Sequence, residues 1–356
     1  MAVVDTETQI QTDLDHLYGG FEAVGLMALW TEREGLMPLT PQPDAKAHVW
    51  HRADVFPLVE QSIDLVPVGR GGERRAIAFS NPGLPGRPYA TPTLWAALQA
   101  LGPREVAPAH RHSQGAFRFV IEGEGVWTVV NGDPVAMRPG DLLLTPAWYW
   151  HEHHNSGSAP MLWLDGLDIP LVRQLDAGFF EFGSDELTDT ATPPAARCER
   201  LWSGPGLRPV AVADSPVSPL LVYRREQIDA ALDAQLDLAD AGHPGAVAVG
   251  HAAVRATNPT TGADALPTMR LEMHRLRGGS RSEPGRQVAS SVWLVYSGAG
   301  TVRLGGQAVT VGAGDVVAVP SWTEVSWQAA ATLDLFTFSD LPVFEKLGLD
   351  RREARR

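Results

Sequence analysis

The chain has 356 residues, 44% of them apolar and 20% charged, which leaves room for two globular domains with a sizeable core. A formal net charge of −13 argues against nucleic acid and anionic membranes as partners, and requires a local basic pocket for any anionic substrate. The single cysteine, Cys198, excludes an intramolecular disulfide and a thiolate metal cluster.

The first 25 residues carry Asp5, Glu7, Asp13 and Asp15 but no Lys or Arg, so they lack the basic start of a secretory signal. No apolar run approaches the ~20 residues that a membrane span needs. A soluble cytoplasmic protein is expected. Residues 1–12 are polar and read as disordered. Residues 13–36 read as a helix with apolar positions Leu14, Leu17, Phe21, Val24 and Met27, interrupted at Gly19 and Gly20. Pro38, Pro41 and Pro43 predict extended chain. A short helix is expected over 54–66, then a basic approach containing Arg70, Arg74 and Arg75, a strand at 76–79 and a Pro/Gly-rich loop at 81–88.

Residues 95–101 suit a helix or a buried strand. Their place just before a histidine-bearing strand favours a strand, with Trp95, Ala97 and Gln99 on one face. His110 and His112 also share a face by alternation. A small antiparallel unit is predicted next. It has a strand at 118–121, a hairpin turn at 122–125 and a return strand at 126–130. A second hairpin turn follows at Asn131-Gly132, and a third turn at Pro139-Gly140-Asp141 precedes a buried strand at 142–145. His151 then arrives from a distant strand, and three converging imidazoles make a site for a divalent ion of intermediate softness.

Residues 173–265 read as a connecting region, with a helix over 226–239 whose apolar positions are Ile228, Leu232 and Leu236. An internal repeat follows. Gly298 and Gly300 echo Gly123 and Gly125. Gly314, Asp315, Pro320 and Trp322 echo Gly140, Asp141, Pro146 and Trp148, at an offset of 174 or 175 residues. In the second copy Gly285, Gln287 and Val325 stand opposite His110, His112 and His151. That copy is expected to be structural and to hold no metal.

The spacing from Gly140 through Pro146 and His151 to Asn155 is that of the second cupin motif, with Trp148 where glycine is usual. The first motif's acidic position falls at Ala116 and Phe117, so no carboxylate is available there. With Thr91-Pro-Thr-Leu-Trp95, Ala107 to Gln114, Leu144 to Trp148, Trp150 to His153 and Trp163 to Pro170, the chain resembles the gentisate 1,2-dioxygenase family, which includes salicylate and 1-hydroxy-2-naphthoate dioxygenases.

The resemblance implies an all-β bicupin of two double-stranded β-helix barrels with an N-terminal helical segment. The expected divisions are 1–87, barrel one at 88–172, a connection at 173–265, barrel two at 266–347 and a tail at 348–356. It implies Fe(II) on His110, His112 and His151, a small aromatic carboxylate and O2 as partners, and a homotetramer. For substrate contact alternation points to Arg118, six residues after His112 and on its face if the strand runs unbroken, and the resemblance to Arg74, Arg75, Arg70, Trp95 and Gln99. For proton handling alternation from His151 points to His153, and the resemblance to Asp165. The expected reaction is ring cleavage of gentisate to maleylpyruvate. Salicylates or 1-hydroxy-2-naphthoate are alternative substrates, and a non-catalytic bicupin that binds a small acid is an alternative class.

Overall fold

The computed structural model describes residues 2–31, 36–67, 75–183 and 196–354. Arg70 and Arg74 lie outside the described residues. Residues 1–42 form one unit and residues 43–356 another.

In the first unit α1 spans Ala2–Ala23, which corrects the expectation of a disordered start and of a break at Gly19 and Gly20. Side-chain bonds one turn apart, Gln9 to Asp13 at 2.9 Å and Gln11 to Asp15 at 2.7 Å, support this polar helix. Gly19 and Gly20, at about 1 kcal/mol each against alanine, weaken the helix without interrupting it.

The second unit holds two barrels, each made of two sheets. Barrel one has a six-stranded sheet in the order β12 (Val222–Tyr223), β8 (Leu142–Thr145), β5 (Ala116–Glu122), β10 (Met161–Leu167), β3 (Trp95–Leu101), β2 (Ala76–Ala78). Its five-stranded sheet runs β11 (Phe180–Phe182), β4 (Val106–His112), β9 (His151–Asn155), β6 (Val126–Val130), β7 (Asp133–Ala136). In barrel two the six-stranded order is β1 (His48–Trp50), β19 (Val316–Val319), β16 (Ser291–Ser297), β21 (Leu333–Ser339), β14 (Arg270–Leu276), β13 (His251–Arg255). The five-stranded order is β18 (Gln307–Gly312), β17 (Ala299–Leu304), β20 (Val325–Ala329), β15 (Gly285–Gln287), β22 (Arg352–Ala354).

The two six-stranded sheets pack on each other, which explains why β3, β5, β8 and β10 are buried along nearly their whole length. Phe119 stacks on Phe336 with ring centres 4.4 Å apart, and Phe117 meets Phe338 at 4.8 Å. The alternate residues Arg118 and Val120 turn into barrel one. Gly166 lies beneath Phe117, whose ring would stand 2.2 Å from any added Cβ.

The barrels also exchange their leading strands. β1 precedes α2 (Arg52–Leu65) and pairs with β19 of barrel two. β12 precedes a second helix, Arg225–Asp240, and pairs with β8 of barrel one. The Arg52 N–H donates to Asp315 at 2.7 Å and the Arg225 N–H to Asp141 at 3.0 Å, so the two junctions are equivalent.

Two sequence expectations are corrected here. Residues 122–125 do not close a hairpin, because β5 pairs with β8 and β10 while β6 pairs with β7 and β9. Gly123 and Gly125, both at positive φ, instead carry the chain from one sheet to the other. The expected divisions are crossed by β1, β2, β11, β12, β13 and β22, which lie outside 88–172 and 266–347 but complete the barrel sheets. The Asn131-Gly132 turn does join β6 to β7, with φ of 47° and 74°.

Candidate metal centre

His110 and His112 lie on β4 and His151 on β9, where His110 and His151 are cross-strand neighbours. One nitrogen from each of the three lies within 4.8 Å of the others, and all three residues are buried. The Nδ1 atoms are pinned to backbone carbonyls: His110 to Pro108, His112 to Gln114 and His151 to Tyr149, each at 2.9 Å. A carbonyl accepts only, so each Nδ1 carries the proton and each Nε2 is left with its lone pair. His151 Nε2 is buried without a hydrogen-bond partner. Burial, His110 and Arg118 hold His151 well below the ordinary imidazole range, which keeps it neutral. Neutral imidazoles with converging Nε2 atoms fit a divalent metal.

The turn before His151 places Trp148 where glycine is usual. Its backbone is left-handed, with φ 66°, and its N–H donates to the His112 carbonyl at 2.8 Å. Trp322 repeats this in barrel two, with φ 62° and a 2.7 Å bond to the Gln287 carbonyl. Glycine is the usual residue at such a φ, so tryptophan is strained here, while the tie to the ligand strand is a backbone bond that does not depend on the side chain.

Beside the triad is a cavity of about 410 Å³, lined among others by Trp95, Gln99, Arg118, His153, Asp165 and Phe180. Arg118 and Asp165 are paired across β5 and β10, with Nε 3.4 Å from Oδ1. Arg118 also donates to Thr145 Oγ1. Its Nε has no hydrogen-bond partner. Burial pushes Asp165 up to about 6 against the pull of Arg118 and a 3.0 Å bond from Trp163 Nε1. His153 is held well below the ordinary range by burial and Arg118, and its Nδ1 lacks a partner.

Arg118 reaches this cavity by a route other than strand continuity. β4 ends at His112 and β5 begins at Ala116 in the other sheet. Arg75, expected near substrate, is directed elsewhere. Its guanidinium grips both Glu105 oxygens at 2.8 Å and the carbonyls of Val66 and Ala100. All its donors are satisfied there, so it ties β2 to β3 and the 102–105 turn and does not line the cavity.

Sequence reading missed Phe180, Gln114 and Thr145. Phe180 stacks on His110 at 5.3 Å because β11 pairs with β4, placing Phe180 opposite His112. The alternation Phe180-Glu181-Phe182 is the strand signal that was available.

Residues 97–167 match the Cupin domain model. A gentisate 1,2-dioxygenase from Streptomyces sp is 62% identical over 338 residues, covering 95% of this chain and 94% of that protein. The chain belongs to the gentisate 1,2-dioxygenase family. A 5-aminosalicylate 1,2-dioxygenase from Comamonas sp is 35% identical and covers 97% of this chain and 91% of its own length. A crystal structure of salicylate 1,2-dioxygenase from Pseudoaminobacter salicylatoxidans with gentisate superposes with a TM-score of 0.94 at 53% identity, covering 96% of this chain and 94% of that one. This family member is therefore a bicupin, ring-cleaving dioxygenase that incorporates O2, as its sequence motifs imply. No helix among the described residues is long and apolar enough to cross a membrane.

Proposed function

We propose that this enzyme cleaves gentisate with O2 to give maleylpyruvate, using Fe(II) held by the Nε2 atoms of His110, His112 and His151. The observation that carries the reading is the buried Arg118–Asp165 pair set beside three neutral imidazoles in one cavity. Fe(II) there supplies a Lewis-acidic, redox-active centre at which an electron-rich hydroxy acid and O2 can exchange electron density.

The remaining work belongs to the chain. Three histidines bring no negative charge, so the charge of a bound divalent ion would stand uncompensated by its ligands despite the overall −13. Arg118 attracts the substrate carboxylate, and its Nε, 3.4 Å from Asp165 Oδ1 but making no hydrogen bond there, can donate to an anion. Asp165 pairs with Arg118 and accepts a hydrogen bond from a ring hydroxyl. Neutral His153 takes up or returns a hydroxyl proton through its free Nδ1. Trp95, Gln99 and Phe180 enclose the ring and exclude water. The bond between the carboxyl-bearing and hydroxyl-bearing ring carbons breaks, and both atoms of O2 enter the product, so no outside reductant is needed. Arg70 and Arg74 remain proposed carboxylate contacts from the basic approach to β2. A cytoplasmic homotetramer completes the proposal by family membership, and sedimentation of the purified protein tests the assembly.

A second reading keeps the chemistry and changes the ring. The 53% identity to a salicylate 1,2-dioxygenase supports salicylates as substrates. O2 uptake by Fe(II)-loaded protein with gentisate, salicylate, 5-aminosalicylate and 1-hydroxy-2-naphthoate separates the two. Gentisate turning over fastest is expected. Cleavage of salicylate with none of gentisate rejects the first choice, and no O2 uptake with any acid favours the binding-protein class.

A further inference from the structure

Barrel two retains a cavity of about 360 Å³ at the place where barrel one has its reacting site. The strand registers make the two superimposable by position. Gly285 pairs with Val325 as His110 pairs with His151, and Trp293 pairs with Thr337 as Arg118 pairs with Asp165. His274 on β14 takes the place of Gln99, and Trp327 that of His153. The metal ligands and the anchoring arginine are gone, yet their replacements have not filled the space. Trp293, Trp327, Val319, Val325 and Leu335 give its wall a flat, apolar character.

Two observations point to an occupant. Trp327 is only 3% exposed, and its Nε1–H has no acceptor. A buried indole N–H without a partner is destabilising, and a ligand acceptor at the cavity wall would relieve it. The second is charge. Arg286 on the wall is taken by Glu353 at 2.6 Å, and Arg352 by Glu345 at 3.0 Å. Glu272 lines the same cavity, where burial acts to neutralise it but His274, Arg270 and Arg255 prevail and keep it ionised. Burial and His274 push His251 down to about 4, so it adds no positive charge. Among the described residues each arginine of this wall is already paired with a glutamate and Glu272 adds negative charge, so an anion is disfavoured, whereas a neutral molecule finds aromatic faces, the Trp327 donor and the Glu272 acceptor.

We propose that the cavity of barrel two is a second, metal-independent binding site for an uncharged planar aromatic molecule, which accepts a hydrogen bond from Trp327 Nε1 and donates one to the Glu272 carboxylate. An aromatic carboxamide has this pattern, and its carboxylate counterpart has the same shape with the wrong charge.

Benzamide, 1-naphthamide and benzoate are titrated into the iron-loaded full-length protein by calorimetry, with ligand-detected NMR in parallel. The expected result is saturable amide binding at one site per chain that benzoate does not displace. Trp327→Phe keeps the ring and removes the donor, and weakens the amide about tenfold with unchanged iron content. Glu272→Gln keeps the shape, removes the charge and admits benzoate, and it carries the test should Trp327→Phe fail to fold. The proposal is overturned if neither amide binds at about 10 mM. Displacement of the amide by benzoate, full affinity in folded Trp327→Phe, or continued exclusion of benzoate by Glu272→Gln also overturns it.

Discussion

Thr268 of barrel two donates a 2.6 Å hydrogen bond to Asp168 of barrel one, and Thr93 of barrel one returns the contact to Asp340 of barrel two. Each aspartate also accepts a backbone N–H from its own barrel, Gly115 at 3.0 Å and Ser290 at 2.8 Å. Both stand at the N-cap of a short helix, Ile169–Gln174 or Leu341–Leu347. The interface is therefore latched twice by one device, repeated with the repeat of the chain.

Burial outweighs these hydrogen bonds and raises Asp168 to about 6 and Asp340 to about 7. An unfolded Asp titrates near ~3.9. Between that value and the raised ones the folded state binds more protons, so stability falls as pH rises. The two groups stabilise fully below the unfolded value, and lose that contribution as pH climbs through about 6 and about 7. Urea unfolding from pH 5 to 8 is expected to show a loss of a few kcal/mol, on the order of one for each pKa unit. The variant Asp168→Asn/Asp340→Asn should have a flatter profile in the same metal state. An equal slope in both proteins contradicts the assignment.

Trp148 supplies a test of backbone strain. Trp148→Ala and Trp148→Gly lose the same contacts with Phe179 and Arg111, whose centres lie 5.6 and 5.7 Å from the indole. They differ in what φ 66° costs. The glycine variant should be the more stable by about 1 kcal/mol in chemical denaturation, the reverse of the usual order of these two residues. An alanine variant of equal or higher stability counts against strain at this turn.

The Arg118–Asp165 pair is expected to matter for stability as well as for substrate. Arg118→Met leaves a buried carboxyl without its cation, which should cost about 3 kcal/mol and raise the Asp165 pKa further. Arg118→Met/Asp165→Asn should regain most of that stability while ring cleavage stays at least about a hundredfold down, because the carboxylate anchor is still missing. Melting curves and kcat/KM together check this. Recovery of both, or of neither, would show that the pair does not divide its roles in this way.

Phe180 covers one face of His110 and lies 6.5 Å from the His112 ring. Phe180→Ala should leave the fold intact, since the side chain is 40% exposed, yet loosen the ligand strand. The expected effect is a metal affinity about tenfold weaker by competition with a chelator, in the range seen when groups supporting a metal ligand are removed. Unchanged affinity would confine Phe180 to the substrate's ring.

By itself the sequence determined what depends on near neighbours. Side-chain alternation put His110 and His112 on one face, Asn131-Gly132 could only be a left-handed turn, and the offset of 174 or 175 residues disclosed two barrels of one design. Ile228, Leu232 and Leu236 likewise announced their helix, which buries all three. Tertiary structure decided which strands became partners. It sent β1 and β12 each to the other barrel, turned Arg75 away to Glu105 and brought Phe180 against His110. It delivered Arg118 from a different sheet than its distance from His112 suggested. Strand pairing spends the same backbone hydrogen bonds whichever partner is chosen, so local pattern carries no record of the choice. Burial of Phe117, Phe119, Phe336 and Phe338 between the two sheets favours one arrangement over the others, and that energy exists only once the whole chain has come together.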